Sequence, residues 1–159
     1  GKVTYQEVVY SFEAASNESY EVSFTLNTSA PGGLAQKLDD PSDPKHYYWD
    51  IHFDAGEWVE LTHSHDQRVL PTIAKIIADF YIDVLPGLHD SDVKTFGFTG
   101  VRESHRDSKT ISKRTRVYLG MIKRYAKKYK VNIEIMPTER SYHNDPHVNM
   151  IDTINFRIT

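Results

Sequence analysis

The sequence predicts an α+β fold in which two helices pack on one face of a mainly antiparallel sheet. Several segments alternate apolar and polar residues with a period of two, which is typical of half-buried strands. Two longer segments repeat apolar residues every three or four positions, and both are bracketed by predicted strands. Because the strands alternate rather than run apolar throughout, the other face of the sheet is expected to be partly open.

The first third of the chain is predicted to form strands. Segments 5–12 and 20–26 alternate, and the second places Tyr20, Val22, Phe24 and Leu26 on one face. A long loop is expected at about 28–45, because this segment has three prolines and two adjacent glycines and lacks periodicity. Segment 47–54 alternates again, with Tyr47, Trp49, Ile51 and Phe53 on one face, and a hairpin leads to a further strand at 58–62.

Two helices and three more strands follow. The first helix is expected to begin at residues 64–68, where Asp66 can cap its N-terminus, and to end at Pro86 and Gly87. A strand at 93–100 precedes a second helix at about 109–129. Strands at 131–136 and 150–159 complete the order, and the polar segment 138–147 is predicted to be a loop.

Composition restricts the class of protein. The chain has 159 residues, which suits one domain, and its 39% hydrophobic and 26% charged residues are typical of a globular protein. The absence of cysteine excludes disulfides and thiol catalysis and fits a reducing compartment. No run approaches the roughly 20 apolar residues that span a membrane, and no signal peptide is visible at the N-terminus. We therefore expect a soluble cytoplasmic protein.

Charge is unevenly distributed along the chain. Residues 108–133 contain nine Lys or Arg and no acidic residue. Because the formal net charge of the chain is −3, all other residues together carry −12. Such asymmetry points to an anionic partner.

A helical wheel separates the apolar and cationic residues of the second helix. Tyr118, Met121, Ile122, Tyr125 and Tyr129 fall on one stripe. The opposite side carries Arg116, Lys123, Lys127 and Lys130, flanked by Lys113, Arg124 and Lys128, and all of these except Lys130 are the candidate partner-binding residues. This side is either a solvated helix face, whose long side chains also shield apolar surface, or a binding surface for phosphate or an acidic protein.

Arg114 differs from these cations because it lies on the apolar stripe, one turn before Tyr118. An inward charge needs carboxylate or carbonyl partners. Arg114 is therefore either a buried structural ion pair or an anion-binding residue in a pocket at the start of the helix.

Four short segments together resemble a group of small bacteriophage-encoded α+β proteins. They are Y-W-D-I-H-F at 48–53, P-T-I-A-K-I-I-A-D-F at 71–80, F-G-F at 96–98 and R-T-R-V-Y at 114–118. The resemblance covers about residues 47–130. It implies a phage protein made in the cytoplasm of a bacterial host, and it implies no particular activity.

The sequence predicts no catalytic residue, cofactor or resident metal, but two groups of side chains are weak candidates for a metal site. His63 and His65 face the same way on an extended segment, although their spacing matches no zinc signature. Asp50, His52 and Asp54 share one face of a strand and could hold a divalent ion or perform acid–base chemistry. Such a row is more often the solvated side of a strand.

Three functions are compatible with these features. The first is a non-enzymatic phage accessory protein that binds a host protein or nucleic acid through the basic helix and could counteract host functions. The second is a small hydrolase or ligand-sequestering protein with a pocket near Arg114 and the Asp/His residues. The third is a virion component. Exposed Tyr47, Tyr48 and Trp58 could stack on single-stranded bases, although core packing is the more common role of aromatics.

Overall fold

The structure, a computed structural model, describes residues 7–13, 19–30, 38–54, 69–102, 113–136, 139–142 and 150–159. These residues form two α-helices, α1 (Val69–Asp79) and α2 (Lys113–Tyr129), and seven strands. The strands are β1 (Glu7–Glu13), β2 (Ser19–Asn27), β3 (Tyr48–Asp54), β4 (Thr95–Arg102), β5 (Ile133–Ile135), β6 (Glu139–Tyr142) and β7 (Met150–Ile158). The predicted strand at 58–62 and the predicted cap Asp66 lie outside the described residues.

All seven strands belong to one sheet, in the order β1-β2-β3-β4-β7-β5. Strand β6 also pairs with β7, so β5 and β6 occupy successive parts of the same edge of β7. Every pair is antiparallel except β3 with β4, whose connection contains α1. The predicted α+β fold with a mainly antiparallel sheet and two helices is confirmed.

The strand register places the apolar residues of successive strands on the same face. Phe24 pairs with Ile51, Trp49 with Phe96, and Phe96 with Phe156. This face is lined by buried side chains from four strands: Tyr20, Val22, Phe24, Trp49, Ile51, Phe96, Phe98, Ile154, Phe156 and Ile158. The alternation in segments 20–26 and 47–54 therefore predicted the core-facing residues of β2 and β3 correctly.

Helix α1 covers the middle of this face and changes its winding before it ends. It continues into a π-helical turn at Phe80–Val84 and a 3-10 turn at Leu85–Gly87. The Phe80 ring is fully buried, stacks on Phe24 at 4.1 Å between centroids and meets Trp49 edge-on at 5.2 Å. The indole Nε1 of Trp49 donates a hydrogen bond of 3.0 Å to the carbonyl of Val93. The aromatic contacts fix the helix against β2, β3 and β4.

Helix α2 packs against α1, β4 and β7. Among the side chains of α2 that the structure describes, from residue 119 onward, Met121, Ile122 and Tyr125 are buried, and Tyr129 is half-buried beside them. The four residues fall on one stripe of the helix, as the wheel predicts. No helix of the described residues combines the length and the apolar character needed to cross a membrane.

The prediction of a polar loop at 138–147 was wrong for residues 139–142, which form β6. This strand pairs antiparallel with β7, from Glu139 opposite Thr153 to Tyr142 opposite Met150. Hydrogen bonding to a strand already held by β4 provides a tertiary context that outweighs the low strand propensity of a polar segment. The described part of the long loop is closed by a hydrogen bond of 2.8 Å from the Ala30 amide to the Pro41 carbonyl.

Candidate functional site

The outer side of α2 carries four exposed cations, Lys123, Arg124, Lys127 and Lys128, which we call the basic face. Lys123 and Lys127 are one turn apart, as are Arg124 and Lys128, so the four charges form two adjacent rows along the helix. The rise of the helix separates the charges within a row by about 6 Å. The described part of the wheel is therefore confirmed: tyrosines and aliphatic side chains point inward and cations point outward.

The basic face is not neutralised by carboxylates from the rest of the described structure. The ion pair found among the described residues does not involve the basic face. It joins Lys45 and Asp43, with 3.8 Å between Nζ and Oδ2. Like charges one turn apart destabilise a helix by about 0.2–0.5 kcal/mol per pair. Lys127 and Lys128, in the last turn, also interact favourably with the helix dipole, which offsets part of the destabilisation by like charges. Lys123 lies further from the end of the helix and gains less from the dipole.

Several residues singled out in the sequence lie where the structure gives no side-chain position. Lys113, Arg114 and Arg116 belong to the first turn of α2, and only their backbone is described. The same holds for Asp54 at the end of β3. The pair His63 and His65 lies outside the described residues. The predicted roles of all these residues stay predictions.

Asp50 and His52 lie on the face of β3 that points away from the helices, as predicted. Asp50 is half-buried, is paired with Thr25 of β2 and lies in register with Gly97 of β4. His52 is exposed. Among the residues whose positions the structure gives, no group of three or more His, Asp or Glu is placed to hold a metal ion. Because the Asp54 side chain lies outside the described part, the row of three stays a prediction.

The centre of this open face is nevertheless closely packed around Gly97. A Cβ atom added to Gly97 would lie 2.8 Å from Oδ1 of Asn155 and 3.1 Å from two ring carbons of Tyr48. The Tyr48 side chain from β3 and the Asn155 amide from β7 thus occupy the space that a side chain on β4 would fill. Tyr48 is only 8% exposed, so the expectation that it is exposed was wrong. Asn155 is only 3% exposed, and its Oδ1 has no hydrogen-bond partner among the described residues.

Burial also perturbs the ionisable groups here. It raises the pKa of the Asp50 carboxyl above its usual value, and nearby His52 partly opposes this rise. Burial likewise raises the pKa of the Tyr48 phenol, the negative charge of Asp50 adds to the rise, and a hydrogen bond with Asn27 opposes it. Both shifts favour the neutral form of the group. The open face therefore offers a neutral phenol and a weakened acid.

Sequence reasoning missed Asn155 and the burial of Tyr48. The available signal was Gly97, which lies between two phenylalanines inside the predicted strand 93–100, since a glycine within a strand often marks a close approach of neighbouring groups. The backbone conformation of Lys130, which has a φ of 54°, also had no signal in the sequence.

Comparisons with protein-family models, curated protein sequences and solved structures found no match.

Proposed function

We propose that this chain is a binding protein rather than an enzyme and that the basic face of α2 contacts an acidic macromolecule. The observation that carries the proposal is the set of four exposed, like-charged residues in two rows, without a neutralising carboxylate in the described structure. A fold that only needed a solvated helix face could alternate acids with bases and gain stability from their pairs. The absence of any acid from residues 108–133 forgoes that gain.

The charge asymmetry of the chain supports the same function. The formal charge is +9 over residues 108–133 and −12 over all other residues, so the positive charge is concentrated in the segment that contains α2. Such a distribution orients the protein during an encounter and favours one docking geometry. The resemblance to phage-encoded proteins adds the proposal that the partner, a nucleic acid or an acidic host protein, is met in the cytoplasm of an infected bacterium.

Charge reversal on the basic face tests this function. We expect the variant K123E/R124E/K127E to lose binding to labelled DNA, RNA and polyglutamate, while its Tm stays within about 4 °C of the native value because exposed substitutions cost little. The matched control is K45E/K75E/K94E, which makes the same change in net charge at exposed lysines elsewhere. Binding is measured by fluorescence anisotropy, and Tm by circular dichroism.

Two outcomes would contradict the proposal. If the native protein binds none of these polyanions and no macromolecule from a bacterial lysate, the basic face is only a solvated surface. If the control triple reversal weakens binding as much as the α2 reversal, net charge rather than this face governs binding. A virion component would instead show the α2 reversal as a loss of self-association in sedimentation velocity.

A further inference from the structure

Helix α2 ends on a lysine in a conformation that favours glycine. Lys130 has a φ of 54°, and it is the only non-glycine residue of the described chain with a positive φ. The amide of Val131 donates a hydrogen bond of 3.2 Å to the carbonyl of Ala126, five residues earlier, which is the hydrogen bond that characterises the Schellman ending of a helix. In this ending the left-handed residue is usually glycine, because a Cβ atom is unfavourable there.

The lysine therefore stands where glycine would make the fold more stable. A residue held in an unfavourable backbone conformation is a reason to look for a function of its side chain. The Lys130 side chain is exposed and extends the charge of the neighbouring Lys127 and Lys128 past the end of the helix.

Tyr129 lies between Lys128 and Lys130 in the sequence, at the C-terminal end of the buried stripe, and its side chain has intermediate exposure. The ring is half-buried and rests against the buried Tyr125, with 4.9 Å between ring centroids. Nζ of Lys128 lies 5.5 Å from the centroid of the Tyr129 ring. An exposed cation–π contact of this kind is weak, so another planar group can replace it. The end of α2 thus combines a fixed aromatic ring with three cations.

We infer that this end of α2 binds single-stranded nucleic acid, with Lys130 contacting a phosphate and Tyr129 stacking on a base. Aromatic rings beside a cationic surface are the usual means of binding unpaired bases without sequence preference. The bases of a duplex are stacked on one another and do not offer a free planar face, and acidic side chains offer none. This inference rests on the proposed function and names the partner of the basic face.

The substitution K130G separates binding from stability. It removes the cation and also the unfavourable Cβ, so we expect Tm to rise by about 2–4 °C. With one phosphate contact fewer, the slope of log K against log salt concentration should become shallower by about 0.7 for a single strand. At 0.1 M salt this corresponds to a roughly fivefold weaker affinity of K130G for the strand. The probe is a fluorescein-labelled oligothymidylate of about 20 nucleotides, longer than the roughly 4–16 nucleotides that one binding fold covers.

Matched variants assign these effects. K130R keeps both the charge and the backbone strain, so its affinity and Tm should equal those of the native protein. K75A removes an exposed lysine from α1 and should leave the affinity unchanged. For the ring, Y129F should bind as the native protein does, whereas Y129L keeps apolar packing but loses stacking and should bind about fivefold more weakly or worse.

The result that would overturn the inference differs from the one that would overturn the proposed function. If K130G keeps the native affinity and salt slope, or if Y129L binds as tightly as Y129F, nucleic acid does not bind here. If polyglutamate competes as well as unlabelled oligothymidylate at equal charge, the basic face binds an acidic protein, so the proposed function survives and this inference fails. Stronger binding to oligothymidylate than to a duplex of equal length supports it.

Discussion

Replacing Gly97 with alanine tests whether the open face of the sheet is as closely packed as the structure indicates. The new Cβ would meet Oδ1 of Asn155 at 2.8 Å, a distance that real Cβ atoms essentially never show, and the Tyr48 ring at 3.1 Å. Tyr48 and Asn155 are both buried, so neither can move away from the new Cβ without exposing buried side-chain surface to solvent. Gly97 does not have a positive φ, so the effect of the substitution comes from packing rather than from backbone strain.

The size of the effect follows from two opposing contributions. Inserting a methyl group into closely packed surroundings costs about 1–3 kcal/mol. Replacing glycine with alanine also restricts the unfolded chain, which stabilises the fold by about 0.4–1 kcal/mol. We therefore expect Gly97→Ala to lower the free energy of unfolding by about 1–2 kcal/mol, which corresponds to a fall in Tm of about 2–8 °C.

Equilibrium urea denaturation of three glycine variants provides the measurement and its controls. At Gly87 and Gly120 an added Cβ would meet nothing within 4 Å. Gly120 lies inside α2, where alanine is favoured over glycine by about 1 kcal/mol, so Gly120→Ala should stabilise the protein. Gly87→Ala should be neutral or slightly stabilising. Opposite signs for Gly97→Ala and Gly120→Ala are the expected pattern.

A double-mutant cycle identifies the atom responsible. Asn155→Ala removes the amide that crowds Gly97, so the double variant should be less destabilised than the sum of the two single variants. If Gly97→Ala is as stable as the native protein or stabilises it as Gly120→Ala does, the crowding by Asn155 and Tyr48 does not exist. Additive single effects would show that Asn155 is not the neighbour that matters.

Two further predictions concern polar groups in this fold. The hydroxyl of Tyr125 is buried and has no hydrogen-bond partner among the described residues, so Tyr125→Phe should stabilise the fold by about 1 kcal/mol in urea denaturation. The control Tyr48→Phe should destabilise it, because the Tyr48 hydroxyl is hydrogen-bonded to Asn27, and equal shifts in both variants would contradict the assignment. The second prediction is a pH dependence. Burial raises the pKa of Asp50 above its value of 3.8 in the unfolded chain, so the folded state loses stability as pH rises from about 4 through the raised pKa. Asp50→Asn should remove this loss, so its gain in Tm over the native protein should be larger at about pH 7 than at about pH 4, and a gain independent of pH would refute it.

Local periodicity was enough to predict most of the strands, both helices and the side of each that faces the core. Alternation placed Trp49 and Ile51 on the buried face of β3, and the spacing of three and four placed Tyr125 on the buried stripe of α2. These predictions succeed because the period of a strand or helix fixes which side chains share a face. The solvent-facing position of the described cations of α2 follows from the same rule.

The features that sequence reasoning could not provide depend on contacts between distant segments. Strand β6 exists because β7 offers it a partner, and nothing within E-R-S-Y indicates this. Tyr48 is buried on a face predicted to be open because Gly97 and Asn155, about 50 and 100 residues further along the chain, complete its surroundings. The left-handed conformation of Lys130 belongs to the turn that ends α2, in which the Val131 amide donates to the Ala126 carbonyl, and a lysine at this position does not predict it.

Strand β7 pairs with β4, β5 and β6, so the pairing of these three strands cannot be completed until β7 has been synthesised. During synthesis, β4, β5 and β6 are all made before β7, and β4 waits for roughly 50 residues before its antiparallel partner emerges. In that interval a nascent chain presents Phe96 and Phe98 beside an unpaired strand edge, the kind of surface that recruits chaperones or aggregates. Slow translation of the residues between β4 and β7 would prolong this exposure. Rapid synthesis of β7 would end it, because β4, β5 and β6 would then gain their partner strand at the same time.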